Sequence, residues 1–262
     1  MKRIAIDHFL TWAFGQEFGH LTAEGGLAGG GLDSSWGMIE AYAALGTRVD
    51  VSHIADELRF APDLSRVHGD AELAARALRA VLAGPLDFAV DRFDPVPDWA
   101  SLSPDLPPEL VAGSLAEFRR RARGTDWRRR ALALVIRHAV LGRAPGHHCP
   151  PPGVRQAMGA NGRPAWFARA KRVDALGREV EVEVDGWSPV SRRPLKGAYR
   201  KQEWVRSPVA DMLDRLDHAV WRSVLLAMLA GFPQGELTAH RLLPPAEPEP
   251  AWLAMARGRV VV

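Results

Sequence analysis

In the segment IDHFLTWAFGQEFGHL the apolar residues Ile6, Phe9, Leu10, Ala13, Phe14 and Phe18 fall on roughly one helical face, with Trp12 beside them. That spacing predicts a first helix. GDAELAARALRAVLAG repeats the pattern, with Leu73, Ala77, Leu78, Val81 and Leu82 inward and Gly84-Pro85 as its stop. In DWRRRALALVIRHAVLG, Asp126 is the cap, Leu132, Val135, Ile136, Ala139 and Val140 form the apolar row, and Gly142 terminates. The longest periodic run is SPVADMLDRLDHAVWRSVLLAMLAG. Ser207 caps it, Pro208 takes the first helical position, and Val209, Met212, Leu213, Leu216, Val220, Val224 and Leu229 turn inward before Gly231. Between residues 164 and 187 the period changes to two. Val180, Val182 and Val184 alternate with Glu179, Glu181 and Glu183 after the turn DALGR, which predicts a β-hairpin with one buried and one acidic face. Arg169, Lys171 and Arg172 in the preceding strand are cross-strand ion-pair partners for those glutamates.

Other segments predict connections. LTAEGGLAGGGLDSS has five glycines in seven positions and leads into a helix, SSWGMIEAYAAL, with Asp33, Ser34 and Ser35 as cap candidates. A phosphate-binding loop would follow a strand and end in Gly-Lys-Ser/Thr; this run follows a helix and lacks that ending, so it reads as a flexible connector. From Pro85 to Pro108 six prolines accompany Phe88, Phe93 and Trp99, which predicts an irregular stretch ordered by packing. LLPPAEPEPAW reads as a proline-rich tether to a short apolar tail that docks on the body or on a partner.

Charge adds a division along the chain. Residues 1–112 carry 8 Lys and Arg against 17 Asp and Glu, whereas residues 113–262 carry 26 against 14. The expected organisation is an acidic helical domain over residues 1–110, a basic α+β domain over 113–243 with a hairpin and a long helix, and a tether and tail over 244–262. The fold class is therefore α+β and mostly helical. A basic segment of this kind favours a polyanionic partner. The single cysteine, Cys149, excludes an internal disulfide and fits a reducing cytoplasm. Asp7, His8 and Glu17 interrupt the first apolar run, so no signal peptide is expected, and no run is long enough to span a bilayer of about 30 Å. The expectation is a cytoplasmic protein with no membrane partner.

Two clusters carry the basic character. The first, RRRARGTDWRRR, contains Arg119, Arg120, Arg121, Arg123, Arg128, Arg129 and Arg130. The last three crowd a helix N-terminus, where cations oppose the macrodipole at a cost of a few tenths to about 1 kcal/mol each. The second, SRRPLKGAYRK, contains Arg192, Arg193, Lys196, Tyr199, Arg200 and Lys201. Guanidinium forks grip phosphate, and Trp127, Trp166, Phe167, Trp187, Tyr199 and Trp204 offer rings on which unpaired bases stack. The bland alternative is an arginine-rich surface over core aromatics. His147, His148 and Cys149 are zinc-ligand types, but adjacent residues rarely face one ion, so GHHCPPPG reads as a solvated loop and no metal or other cofactor is expected. The row Glu179, Glu181, Glu183 and Asp185 is the nearest approach to a metal-dependent nuclease site, and ion pairing is its simpler explanation. No nucleophile elbow, HExxH or SxxK motif marks a catalytic centre.

SSWGMIEAYAAL, RPAWF, EVEVDGW, RRPLKGAYRK and VWRSVL together resemble the GafZ-type transcription anti-termination factors of alphaproteobacterial gene transfer agents and prophage-like elements. The resemblance implies a non-enzymatic regulator that boards RNA polymerase near the RNA exit channel and promotes terminator readthrough. RNA polymerase, nascent RNA or promoter DNA, and a DNA-binding partner regulator are the implied partners. These motifs are structural, so no functional residue is carried over. The runner-up is a DNA-binding transcriptional activator, with a metal-dependent nuclease behind it.

Overall fold

The computed structural model describes residues 1–18, 67–84, 88, 90–159, 162–232 and 234–256. The glycine-rich connector and the helix expected over SSWGMIEAYAAL lie outside these residues. Seven α-helices and four two-stranded sheets make up a mixed α and β protein among the described residues. Contacts divide the chain into two compact units, each assembled from separated segments: one from residues 1–89, 125–147 and 216–262, the other from 90–124 and 148–215.

In the first unit, β1 (Lys2–Ala5) leads into α1 (Ile6–Leu10), which continues as a π-helical stretch, Thr11–Glu17. Ile6, Phe9, Leu10 and Ala13 are buried as the periodicity predicts. Strand β1 has no counterpart in the hydrophobic pattern. It pairs in parallel with β8 (His240–Leu243), Ile4 opposite Leu242. Helix α2 (Gly69–Ala83) buries Ala71, Leu73, Ala74 and Leu78. Its Asp70 is fully buried and accepts hydrogen bonds from the Thr238, Ala239 and His240 backbone N–H groups at 2.8, 3.0 and 3.1 Å. The Thr238 hydroxyl and His240 Nδ1, both at 2.9 Å, complete the set.

Helix α5 (Trp127–Leu141) is capped by Asp126, which accepts from the N–H groups of Arg128 and Arg129, and closes at Gly142 with φ 62°. Its buried face is Ala131, Leu134, Val135, Ile136 and Ala139, so Val140 turns outward. Residues 251–256 form α7, whose Trp252, Leu253 and Ala256 are buried: the proline-rich segment delivers the tail onto the protein's own body.

The second unit contains α3 (Trp99–Leu102) and α4 (Pro108–Ala122), the latter started by Pro108 at its first turn. Ser114, Phe118 and Ala122 are its buried face. The expected boundary between residues 110 and 113 thus lies inside a helix. The expected contrast of charge also shrinks, because the units are not consecutive. The first unit carries 16 Lys and Arg against 17 Asp and Glu, and the second 18 against 14.

The long helix α6 (Val209–Gly231) buries Val209, Met212, Leu216, Val220 and Val224 as expected. Arg215, His218 and Arg222 are buried on it as well. Within the second unit, Arg215 grips Asp98 with two hydrogen bonds of 2.7 and 2.9 Å and donates to the Pro95 carbonyl at 2.9 Å. The loop GHHCPPPG is not the solvated segment its polarity suggests. Cys149 is fully buried, its carbonyl accepts from Trp99 Nε1 at 2.8 Å, and burial raises its thiol to about 12.

Candidate nucleic-acid interface

The hairpin of the second unit pairs β3 (Phe167–Val173) with β4 (Glu179–Asp185), Ala168 opposite Val184 and Ala170 opposite Val182. Asp174 closes the turn by accepting from the N–H groups of Leu176 and Arg178. Its valine face is only partly covered: Ala168 is buried, Val182 and Val184 are half-buried, and Val180 is exposed. The glutamates are all engaged. Lys171 meets Glu179 at 3.1 Å and Arg169 meets Glu181 at 3.6 Å, both on the diagonal rather than directly across the register. Glu183 pairs with Lys201 and accepts from the Tyr199 hydroxyl at 2.8 Å, and these partners lower its pKa. Asp185 accepts the Trp187 N–H at 2.9 Å. The nuclease row is thus an ion-paired hairpin face.

Beyond Asp185 the chain forms a small ribbon of β5 (Trp187–Ser188) and β6 (Arg193–Pro194). Gly186 is the pivot. A Cβ there would lie 2.7 Å from the Phe167 backbone, so no larger residue fits, and the Gly186 carbonyl accepts from Leu195 N–H at 2.8 Å. At the tip Arg192 has φ 49°, an uncommon conformation for a residue with a side chain. Arg192, Arg193 and Lys196 are exposed, and among the described residues none of the three meets a carboxylate. Trp187 beside them keeps 41% of its surface open, Leu195 43% and Val190 94%.

The other sequence-predicted contacts have structural employment. Arg119, Arg120 and Arg121 occupy the last turn of α4, where cations complement the helix dipole, and Arg120 and Arg121 clamp Glu117 at 2.7 Å. Those arginines lower Glu117 to about 2. Arg123 pairs with Asp91 at 2.9 Å. Arg128, Arg129 and Arg130 belong to the first unit; Arg128 reaches the Gly84 carbonyl at 3.4 Å and Arg130 grips Asp217 with two hydrogen bonds. Asp126 and Asp217 thereby supply the negative charge that this helix start needs. Arg200 lies 4.6 Å above the Trp166 ring and donates to Gln156 at 3.3 Å, while Lys201 lies 5.1 Å from the Phe167 ring.

Most of the expected stacking rings are also internal. Trp204 Nε1 donates to the Ser114 hydroxyl at 2.8 Å and packs edge-on against Trp99; Trp127 packs on Phe88. Among the described residues the β5–β6 tip thus keeps Arg192, Arg193 and Lys196 exposed and without a carboxylate partner, as Arg172 and Arg178 are on the neighbouring hairpin. No family model, curated protein or solved structure matches the chain, and no helix among the described residues is long and apolar enough to cross a membrane.

Proposed function

We propose that this protein is a non-catalytic transcription anti-termination factor that binds RNA polymerase near the RNA exit channel and touches nascent RNA with the β5–β6 tip. The observation that carries the reading is the tip itself: Arg192, Arg193 and Lys196 without carboxylate partners, next to the open ring of Trp187. Cations for the phosphate backbone and a ring for an unpaired base are the pair of contacts that single-stranded nucleic acid requires. The sequence resemblance to anti-termination factors supplies the transcriptional setting. Holding emerging RNA in single-stranded form disfavours the terminator hairpin, an equilibrium effect that needs no bond chemistry.

The test is binding of single-stranded RNA to wild type and to Arg192→Ala/Arg193→Ala/Lys196→Ala, followed by terminator readthrough with RNA polymerase. Loss of three phosphate contacts makes the salt slope shallower by about 2 and lowers affinity more than tenfold at about 0.1 M salt. Readthrough falls in parallel. Wild-type affinity, slope and readthrough in a folded triple variant would remove the tip from the activity. Capture of the tagged protein from its native lysate tests the polymerase partner: polymerase retained after nuclease treatment supports direct contact, and polymerase lost with nuclease refutes it. A preferred duplex DNA sequence would favour the activator reading instead.

A further inference from the structure

A second cluster of chemistry-bearing side chains lies in the first unit. His218 projects from the middle of α6 and is fully buried. Its Nδ1 lies 3.1 Å from the Pro145 carbonyl oxygen. A carbonyl only accepts, so Nδ1 carries the hydrogen and Nε2 presents a lone pair. That Nε2 is buried with no hydrogen-bond partner among the described residues. An orphan acceptor in a protein interior calls for an explanation.

The surroundings supply one. The His147 ring packs edge-on against His218 with centroids 4.5 Å apart, and His147 Nε2 is 3.0 Å from Glu247 Oε1. One ligand atom from each of His147, His218 and Glu247 lies within 4.8 Å of the other two. A tetrahedral zinc ion with bonds of about 2.0–2.1 Å spaces its ligands roughly 3.4 Å apart, so a modest side-chain rotation closes the set. The elements are prearranged. Pro145 holds the His218 ring in the ligand-competent tautomer, as a second-sphere carbonyl does in known sites. Arg222 donates to the Glu247 main-chain carbonyl at 2.9 Å and fixes the proline-rich segment against α6. His147 and Glu247 are each about one-third exposed, which leaves an entry path and room for a water ligand.

We propose that His147, His218 and Glu247 form a site for one divalent transition-metal ion of the zinc class, bound through both imidazole Nε2 atoms and a Glu247 carboxylate oxygen. Two imidazoles and one carboxylate select zinc, cobalt, nickel or copper over magnesium or calcium. Three protein ligands leave the fourth position to water. Trp252 Nε1 lies 3.4 Å from His147 Nδ1, an arrangement in which His147 Nε2 donates to Glu247. Metal binding moves that hydrogen from Nε2 to Nδ1, with no net proton release, and turns the indole N–H of Trp252 away. The His147-His148-Cys149 run therefore supplies one ligand, and its partners come from residues 71 and 100 positions further along the chain.

The test uses the full chain, stripped with chelator and titrated with zinc by calorimetry and with cobalt by visible absorption. One equivalent binds with micromolar or tighter affinity, cobalt shows intense four-coordinate bands, and Trp252 emission changes relative to Trp252→Phe. Glu247→Gln and His147→Gln, at partly exposed positions that leave the core intact, each lower the affinity at least tenfold. His148→Ala binds as wild type. Absence of stoichiometric binding, or undiminished binding in a Glu247→Gln/His147→Gln double variant, would overturn the site. Loss of binding in His148→Ala would equally overturn it, in favour of the sequence-adjacent set.

Discussion

Asp70 concentrates more polar interaction than any residue the hydrophobic pattern singles out. Burial alone would raise its carboxyl, but hydrogen bonds from Thr238, His240 and Ala239 outweigh that and hold it well below the usual carboxylate range. The sign follows from linkage. A carboxyl whose folded pKa is depressed stabilises the protein above its unfolded value, about 3.9, and loses that contribution as pH falls through the folded pKa. Asp70→Asn replaces one acceptor oxygen by a donor facing buried N–H groups, with an expected cost of about 3 kcal/mol or more. Urea unfolding at neutral pH measures the loss, and the variant's stability should depend less on pH below about 4. Nothing in the sequence distinguishes Asp70 from the other acidic residues at helix starts, because its partners are 168 to 170 residues away.

At the scale of elements, the hairpin and its tip hang on one close approach. Gly186 lets β4 pass over the Phe167 backbone before the chain enters β5, and a Cβ would clash with main chain rather than with a side chain able to move. Gly186→Ala should therefore destabilise the second unit by about 1–3 kcal/mol, the usual range for overpacking. Hydrogen exchange should localise the loss to β3–β6, with weaker RNA binding as the tip shifts; protection equal to wild type across these strands would show the approach to be dispensable. The hairpin itself was legible from the alternation of valine and glutamate. The diagonal ion pairs were not, since register and side-chain reach are set by the turn and by Lys201, which arrives from the segment just before the strand Gln202–Trp204.

For the whole molecule, the consequential feature is that the chain returns on itself. Strands β1 and β8 join the two ends in one parallel pair, and α7 then packs into the same unit. Trp252 is 5% exposed, so Trp252→Ala should cost about 3–5 kcal/mol in urea unfolding, the range for a large buried aromatic. A free tether would tolerate the change within about 0.5 kcal/mol. The same return explains the charge map: residues that are distant in sequence share a unit, and the contrast counted along the chain is largely averaged out. Exposed cations without a carboxylate partner among the described residues persist locally, at the Arg192–Lys196 tip and on the hairpin at Arg172 and Arg178.

Local pattern was sufficient for the helices at residues 69–83, 127–141 and 209–231, for their caps at Asp126 and Ser207, and for the hairpin. Helical periodicity, capping and turn chemistry act over a few residues and are written in short windows. Tertiary structure decided the rest. Strands as short as Lys2–Ala5 and Val154–Gln156 carry too few residues to show a period, and they form because a distant edge, His240–Leu243 or Gln202–Trp204, is presented to them. It also decided which cations remain available, since Arg123 and Arg130 find carboxylates 32 and 87 residues away, while Arg192, Arg193 and Lys196 find none among the described residues. Composition raised the expectation of a polyanionic partner; the pairing of charges, which depends on three-dimensional distance, decides which cations stay exposed for the proposed contact.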